Sequence, residues 1–310
     1  MADDGAGPVT DEPAAASAGR LAAEWEQHRP AVFGVAYRLL GSVADAEDVT
    51  QDVWLRAAGS DLSAIDSLRA WLITVAARRS YDILKSARVR RETYVGPWLP
   101  EPLLTGPDAS EQVLVDESVS AAMMLVMEEL SPPARVAFVL HDVFGFEFDR
   151  IAEVLDTTAP AARQLASRAR RRVADAKRST AKTSKAERER VLSAFRAAYE
   201  SGDLEGLVRV LDPDAVYVTD GGGRINAARK LIHGGERIAE VMLRVRRQWD
   251  LDRVEVVEVG GELGLMFYRK GRLWSVDTFE ITDGLITAYR RVINPDKLGH
   301  VTPGGATSSS

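Results

Sequence analysis

Apolar side chains recur with two different spacings along the chain. In the first part they repeat every three or four residues, as in the stripe of Val32, Val35, Leu39 and Leu40 over 29–40. The same spacing predicts further helices over 43–58, 68–91, 147–155, 159–177, 185–200 and 235–248. Toward the C-terminus apolar and polar residues alternate instead, which predicts strands near 215–219, 253–259, 262–269, 272–282 and 285–293.

Glycine-bearing pairs separate the last four predicted strands. They are Gly260-Gly261, Lys270-Gly271 and Asp283-Gly284, and two-residue breaks of this kind are hairpin signals. Helices followed by an antiparallel meander form an α+β domain in which a curved antiparallel sheet packs on helices. The chain is therefore expected to be multidomain, with all-α domains first and an α+β domain after them.

Residues 131–178 have the layout of a helix-turn-helix. Two short helices follow Ser131, and Asp156-Thr157-Thr158 then breaks the chain and offers an N-cap for an arginine-rich helix over 159–177. Small and polar residues in its first turns let such a helix enter the major groove of DNA, while its arginines reach bases and phosphates. The residues predicted to contact DNA here are Arg163, Gln164, Ser167, Arg168, Arg171 and Arg172.

Charge is segregated along the chain, which favours DNA contact over an ordinary solvated face. The whole chain carries a formal net charge of −6, yet residues 163–190 hold 11 basic and 3 acidic side chains. Residues 1–60 hold 4 basic and 10 acidic side chains. An acidic surface of this kind avoids DNA and suits a basic protein partner. The outer face of the helix over 43–58 presents Asp45, Glu47, Asp48, Gln51 and Asp52.

The helix over 68–91 has the opposite charge. Between 78 and 91 it carries six basic residues and one acidic residue, Asp82. Basic side chains beside aromatic rings suit a strand whose bases are unstacked, because the charges hold phosphates and the rings stack on bases. A simple core position is the alternative for Trp71, and both interpretations stay open for Tyr81. The predicted contacts are Trp71, Arg78, Arg79, Tyr81, Lys85 and Arg88.

Composition limits the remaining chemistry. With 310 residues, 45% of them apolar, the chain is long enough for two or three domains with their own cores. The absence of cysteine excludes disulfides and thiolate metal sites and fits a reducing cytoplasm. We expect no secretion signal, no membrane span, no cofactor and no metal site. Residues 1–20 and 299–310 have the composition of disordered tails.

Three segments together resemble one family. AYRLLGSVADAEDVTQDVWLRA (36–57), RAWLITVAARRSYDILKSAR (69–88) and the unit at 131–178 are similar, in this order, to bacterial sigma factors of the extracytoplasmic-function (ECF) class. The resemblance implies that the acidic helix binds the β′ clamp helices of core RNA polymerase. It also implies that the 68–91 helix captures and melts the −10 promoter element, and that 131–178 reads the −35 element and touches the β flap. One departure is Ala77-Arg78, where many members have Arg-Asn.

The rest of the chain resembles a second fold. AFRAAYESGDLEGLVRVLDPDAVYVTDGGG (194–223) is similar to the SnoaL-like branch of the NTF2-like cone fold. Together with WLPEP (98–102) and NPDKL (294–298), it resembles the ECF subgroup with a fused SnoaL-like extension. The predicted division is a tail over 1–20, sigma region 2 over 21–92, a proline-rich linker over 93–115, sigma region 4 over 116–180, the SnoaL-like domain over 181–298 and a tail over 299–310.

The predicted role of the SnoaL-like domain is regulatory and non-enzymatic. A tethered domain meets the rest of its own chain at roughly millimolar effective concentration, so even a weak contact is occupied. We expect this domain to contact the first sigma domain or the linker and to hold a compact form. The residues predicted at that contact are Trp98, Leu99, Pro100, Asp220, Arg224, Asn294, Pro295, Asp296 and Lys297.

Two other functions of this domain stay open. In the first, Asp277 lies in an apolar concavity as a general acid or base, and enzymes of this fold pair such a carboxylate with a histidine. In the second, the domain senses a ligand, either in a sigma factor or in a polymerase-independent helix-turn-helix regulator. The candidate polar and aromatic residues for either are Tyr217, Asp220, His233, Trp249, Ser275 and Asp277.

Overall fold

The structure is a computed structural model, and it describes residues 12–92, 94–105, 120–180 and 183–301. Its first helical unit is a bundle of α1 (Glu12–Leu40), α2 (Val43–Ala58) and α3 (Leu68–Glu92). Gly41, with a φ of +67°, makes the sharp turn between α1 and α2. The Ser42 hydroxyl then caps α2 by accepting a hydrogen bond from the Asp45 N–H.

Helix α1 begins earlier than the sequence predicts. A disordered tail is expected up to residue 20, whereas α1 starts at Glu12. Leu21 and Trp25 are buried, and the Arg20 guanidinium donates to the backbone carbonyls of Leu62 and Ile65 at 3.1 Å each. Contacts with a loop about forty residues away thus stabilise a helical start. The predicted tail segments 1–11 and 302–310 lie outside the described residues.

The second helical unit contains the predicted helix-turn-helix. Asp156 ends one helix in the left-handed conformation, with a φ of 52°, and the next helix starts three residues later. A π-helical turn over Val139–Val143 precedes this pair. The unit comprises α4 (Ala121–Glu128), α5 (Pro132–Phe138), α6 (Phe148–Leu155) and α7 (Ala159–Thr180).

One hydrophobic core runs through both helical units. Buried side chains of α1–α3, such as Val32, belong to the same cluster as Val136 of α5 and Ile151 of α6. Helix α7 turns small residues toward this core, since Ala162 and Ala166 are fully buried. The arginine-rich face of α7 therefore points outward.

The third unit, which we call the cone domain, spans residues 185–301. Its helices are α8 (Lys185–Ser201), α9 (Leu204–Val210) and α10 (Gly235–Trp249). Its strands are β1 (Leu211–Asp220), β2 (Ile232–His233), β3 (Arg253–Val259), β4 (Glu262–Arg269), β5 (Arg272–Thr282) and β6 (Leu285–Val292), in the sheet order β2-β1-β6-β5-β4-β3. One face of the sheet packs on the three helices around Phe195, Met242 and Tyr289.

The sheet differs from the prediction in one pairing. Strand β1 lies parallel to β6, whereas all other neighbouring strands are antiparallel. The reason is connectivity, since α10 rather than a hairpin joins the β1–β2 pair to the meander, and a crossover of this kind permits a parallel neighbour. The predicted fold class, two all-α units followed by an α+β cone, is otherwise confirmed. Among the described residues, no helix combines the length and apolar content that crossing a bilayer requires.

Candidate nucleic-acid and interdomain sites

The linker over 94–105 is held to the cone domain by one buried carboxylate. Asp220, which is 0% exposed, accepts hydrogen bonds from the Tyr94 hydroxyl at 2.6 Å, the Leu99 N–H at 2.9 Å and the Lys297 ammonium at 2.8 Å. Burial raises the pKa of the Tyr94 hydroxyl, and the adjacent Asp220 carboxylate raises it further. Asn294 donates to the same hydroxyl at 3.0 Å. We call these five residues the linker clamp.

Lys297 adds two further contacts to the linker clamp. Its ammonium also donates to the Leu99 carbonyl and lies 4.0 Å from the Trp98 ring centroid. Of the other predicted contact residues, Pro100 is buried in the linker and Pro295 is exposed. Arg224 and Asp296 form an exposed ion pair with each other at 3.0 Å instead.

The linker also binds the first helical unit, two residues beyond Leu99. The Glu101 carboxylate accepts from the N–H groups of Val43 at 2.6 Å and Ala44 at 3.3 Å, which are free donors at the start of α2. The Tyr37 hydroxyl donates to the Glu101 carbonyl at 2.7 Å, and the Glu101 N–H donates to the Gly41 carbonyl at 2.9 Å. The linker is thus bonded to α2 and to the cone domain at once.

The end of the described linker extends the sheet of the cone domain. The Gly260 N–H donates to the Leu103 carbonyl at 2.8 Å, and the Thr105 N–H donates to the Glu258 carbonyl at 3.0 Å. A bridge between Leu104 and Val259 completes this short antiparallel pairing along the edge of β3. The linker positions 93 and 106–115 lie outside the described residues.

A buried arginine joins the two helical units. Arg135 of α5, 2% exposed, donates to the Leu39 carbonyl of α1 at 2.7 Å and to the Glu128 carboxylate of α4 at 2.6 Å. Burial lowers the pKa of Arg135, and the carboxylate beside it favours the charged form. A second contact places the Arg38 guanidinium 5.7 Å from the Phe144 ring centroid. The two units therefore meet through polar contacts as well as through their shared core.

The acidic residues predicted to bind a protein partner lie on one outer face of α2. Asp48 and Gln51 are exposed, and Asp45 is half-buried in the first turn. Glu47 pairs with Arg29 at 3.1 Å. Asp52 pairs with Arg79 of α3 at 2.9 Å, so this carboxylate also positions a residue predicted to contact DNA.

The basic residues of α3 lie beside this acidic face. Arg78 is exposed, and one of its N–H groups lies 3.4 Å from the Glu153 carbonyl of α6. Lys85 lies over the ring of Tyr81 at 4.2 Å from its centroid and pairs with Asp82 at 2.9 Å. Trp71 packs partly buried against the core, which agrees with its alternative as a core residue. The side chain of Arg88 lies outside the described residues.

The predicted base-reading residues lie along one face of α7. Gln164, Arg168 and Arg171 are exposed, and Ser167 lies half-buried between them. Arg163 stacks over the ring of Phe148 at 5.0 Å from its centroid. At the far end of the same face, Arg172 lies 3.6 Å from Glu129.

The interior of the cone domain holds a buried charge pair instead of an acid–histidine pair. Asp277 accepts from Arg291 Nε at 2.8 Å and from the Tyr289 hydroxyl at 2.5 Å, and all three side chains are buried. His233 is exposed on β2, with β1 and β6 between it and the strand of Asp277. Ser275 is buried on the same strand. The pairing that an enzyme of this fold uses is therefore missing from these residues.

The comparisons with known proteins agree with this architecture. Two family profiles match, Sigma-70 region 2 over residues 25–90 and Sigma-70 region 4 over residues 120–173. The ECF RNA polymerase sigma factor SigJ of Mycobacterium tuberculosis is 39% identical over 291 residues, 89% of this chain and 92% of SigJ. The probable ECF RNA polymerase sigma factor SigI of that species is 31% identical over 284 residues, 90% of this chain and 94% of SigI.

A solved structure extends the likeness to three dimensions. The crystal structure of M. tuberculosis SigJ matches with a TM-score of 0.72 and 37% identity, covering 90% of this chain and 98% of that one. Region 2 followed by region 4 defines a transcription-initiation factor of the sigma-70 class. Within that class, the chain belongs to the extracytoplasmic-function sigma factors. The family predicted from the sequence is confirmed, and the coverage includes the fused cone domain.

Sequence reasoning missed the residues that join the units. Glu101 and Tyr94 are not among the predicted contacts, although WLPEP is singled out, because a cap contributed by a distant segment has no local signal. Arg135 gives no local signal either, since an arginine in the first turn of a helix that begins at Pro132-Pro133 is expected to be solvated. Arg291 was missed as well, because the hairpin between β5 and β6 brings it opposite Asp277 only through a register shift between Glu280 and Ile281.

Proposed function

We propose that the protein binds core RNA polymerase through the acidic face of α2, directs promoter-specific initiation through α3 and α7, and is held closed by its cone domain. In this proposal α2 docks on the β′ clamp helices, and the unit of α4–α7 reads the −35 element and touches the β flap. The charge of each surface supports its role, since the acidic face of α2 with its exposed Asp48 suits a basic protein surface and the arginine-rich outer face of α7 suits phosphates.

The contacts of Asp220 are the main support for the closed form, in which the cone domain stays bound to the linker and the linker to α2. The Asp220 carboxylate holds the linker to the cone domain, while Glu101 in the same linker holds the start of α2. The cone domain and the proposed polymerase-binding helix are therefore connected through a rigid segment rather than a loose tether. Movement of the cone domain would pull directly on α2.

The closed form also conflicts with binding both promoter elements. The −10 and −35 elements lie about 25 base pairs apart, or roughly 85 Å at 3.4 Å per base pair. In the closed form Arg78 of α3 reaches the backbone of α6, and Arg135 joins α5 to α1. The two DNA-binding helices cannot span that distance until the helical units separate. We propose that polymerase and promoter binding supply this separation.

The test is promoter-specific transcription with core polymerase at limiting concentration. Asp220→Asn, Lys297→Met and truncations after residues 180 and 293 should each raise transcription relative to the full chain, because each weakens or removes the linker clamp. Glu205→Gln is the matched control, since Glu205 is exposed on α9 and 91% of its side chain is accessible. Unchanged transcription in all four variants at every salt concentration would reject regulation by the cone domain. No promoter-specific transcript from any of them would reject the sigma-factor function itself.

A further inference from the structure

A cavity of about 290 Å³ opens into the cone domain between α10 and the sheet. Its apolar wall is formed by Val241 and Val245 together with Trp249 and Trp274, whose ring centroids lie 4.6 Å apart. Asn226 belongs to the lining and is exposed, so the cavity opens to solvent on that side. Its volume is close to the lower limit for small-molecule sites, which lies at about 300 Å³.

Three buried polar atoms in this wall have no hydrogen-bond partner among the described residues. They are Nη1 of Arg291, Nε1 of Trp274 and the hydroxyl oxygen of Thr219. Arg291 is 1% exposed and Thr219 is 4% exposed. The Tyr217 hydroxyl lies on the same wall, where burial raises its pKa and the nearby Arg291 and Thr219 lower it. An unpaired buried group costs about 1–3 kcal/mol, so native proteins rarely leave several of them together.

The charge of this wall is already balanced. Asp277 accepts a hydrogen bond from Arg291 Nε at 2.8 Å and lies 2.6 Å from Nη2, which donates to the Tyr289 hydroxyl. This ion pair neutralises the guanidinium and leaves Nη1 without a hydrogen-bond partner among the described residues. A carboxylate placed against Nη1 would add an uncompensated charge to a neutral buried pair. A neutral oxygen acceptor would instead satisfy the donors without that cost.

We infer that this cavity binds a small, uncharged, mainly apolar molecule that carries a carbonyl oxygen. The oxygen accepts hydrogen bonds from Arg291 Nη1 and Trp274 Nε1, and the Thr219 hydroxyl donates to it or to a neighbouring polar atom. The body of the molecule packs against the valine and tryptophan side chains. The volume holds far more than one water, whose share of liquid volume is about 30 Å³, and much of the wall offers water no partner.

The experiment compares three small probes of similar shape on the full chain. Acetophenone carries the carbonyl, ethylbenzene lacks it and benzoate replaces it with a charge. Each is titrated while the six tryptophan indole N–H resonances are followed by NMR. Acetophenone should saturate and shift the Trp274 indole proton, and ethylbenzene and benzoate should bind about 10-fold more weakly. This binding is measured without polymerase or DNA, so its result is separate from that of the transcription assay.

Two conservative variants and one control complete the test. Trp274→Phe and Thr219→Val should each weaken acetophenone binding about 5- to 10-fold, the loss of roughly one hydrogen bond, and leave ethylbenzene binding unchanged. Trp54→Phe, in the first helical unit against Trp25, should change neither. Equal affinity for acetophenone and ethylbenzene would mean that the polar atoms of the cavity wall hydrogen-bond to water and not to the carbonyl, which would overturn the inference. Tighter binding of benzoate, or no saturable binding of acetophenone, would also overturn the inference.

Discussion

Asp220 and Arg135 each hold two parts of the chain together from a buried position. A buried charge is tolerated only when its partners are close and well oriented, as are Lys297 for Asp220 and Glu128 for Arg135. Removing one member of such a pair costs about 3–5 kcal/mol, because the other charge stays buried without compensation. Single residues can therefore decide whether the units of this protein stay closed.

At the same scale, we expect the exposed face of α7 to carry two kinds of arginine, one that reads bases and one that contacts phosphates. Arg163 lies in the first turns of the helix, where side chains reach base edges, so Arg163→Ala should cost about 1–3 kcal/mol and relax specificity at one promoter position. Arg171→Ala should weaken binding equally for all sequences and lower the salt dependence of binding. Gel-shift titrations of the purified holoenzyme on point-mutated −35 elements at several salt concentrations distinguish the two. Identical profiles for both variants would contradict this assignment.

Asp48 offers a clean test of the polymerase surface. Asp52 is less suitable, because it also pairs with Arg79 of the DNA-binding helix α3. Asp48→Lys should weaken holoenzyme assembly about 10-fold or more and reduce the association rate most at low salt. Glu26→Lys makes the same charge change on an exposed part of α1 and serves as the control. Fluorescence anisotropy with labelled core polymerase measures both, and equal affinities would rule out this face of α2.

At the scale of elements, α2 depends on a cap from outside its own domain. Ser42 satisfies the N–H of Asp45, and Glu101 satisfies those of Val43 and Ala44. An N-cap contributes about 0.5–2 kcal/mol, and a carboxylate at this end also favours the helix dipole. The linker therefore stabilises the first turn of the helix that carries the polymerase-binding face.

Removing this cap should loosen the first turn of α2. Glu101→Ala is expected to speed hydrogen–deuterium exchange at Val43 and Ala44 about 5- to 30-fold, which corresponds to 1–2 kcal/mol. Exchange in α3 should not change, and this comparison serves as the internal control. Unaltered exchange at Val43 and Ala44 would mean that Ser42 alone holds the helix start.

The helices and strands themselves were largely predictable from the sequence, whereas the residues that pair between them were not. Helical spacing and the Asp156 break are local signals, and so are the glycine turns between strands. A hairpin centred on Asp283-Gly284 would by itself place Asp277 opposite Arg290. A bulge between Glu280 and Ile281 shifts the register by one residue, and Asp277 faces Arg291 instead. No local sequence pattern predicts such a bulge, so the buried pair of Asp277 and Arg291 at the cavity could be identified only from the folded structure.

At the scale of the whole molecule, the proposed opening is directly measurable. The chain has no cysteine, so Ser60→Cys in the first helical unit and Ala174→Cys on α7 allow specific labelling with two dyes. The free protein should give one short distance by single-molecule energy transfer. Adding core polymerase and promoter DNA should lengthen it by tens of ångströms, since the two promoter elements lie roughly 85 Å apart. An unchanged distance in an active complex would show that the closed form is the working form.

Strand β3 ends the sheet, and residues 103–105 of the linker run along it. When the linker leaves, the N–H of Gly260 and the carbonyl of Glu258 lose their partners, and an uncovered strand of this kind readily pairs with another chain. An activated molecule would thus tend to associate with other chains through this edge, and binding to polymerase would protect it from doing so. Unused molecules are safest when they refold onto themselves, before two of them meet and aggregate.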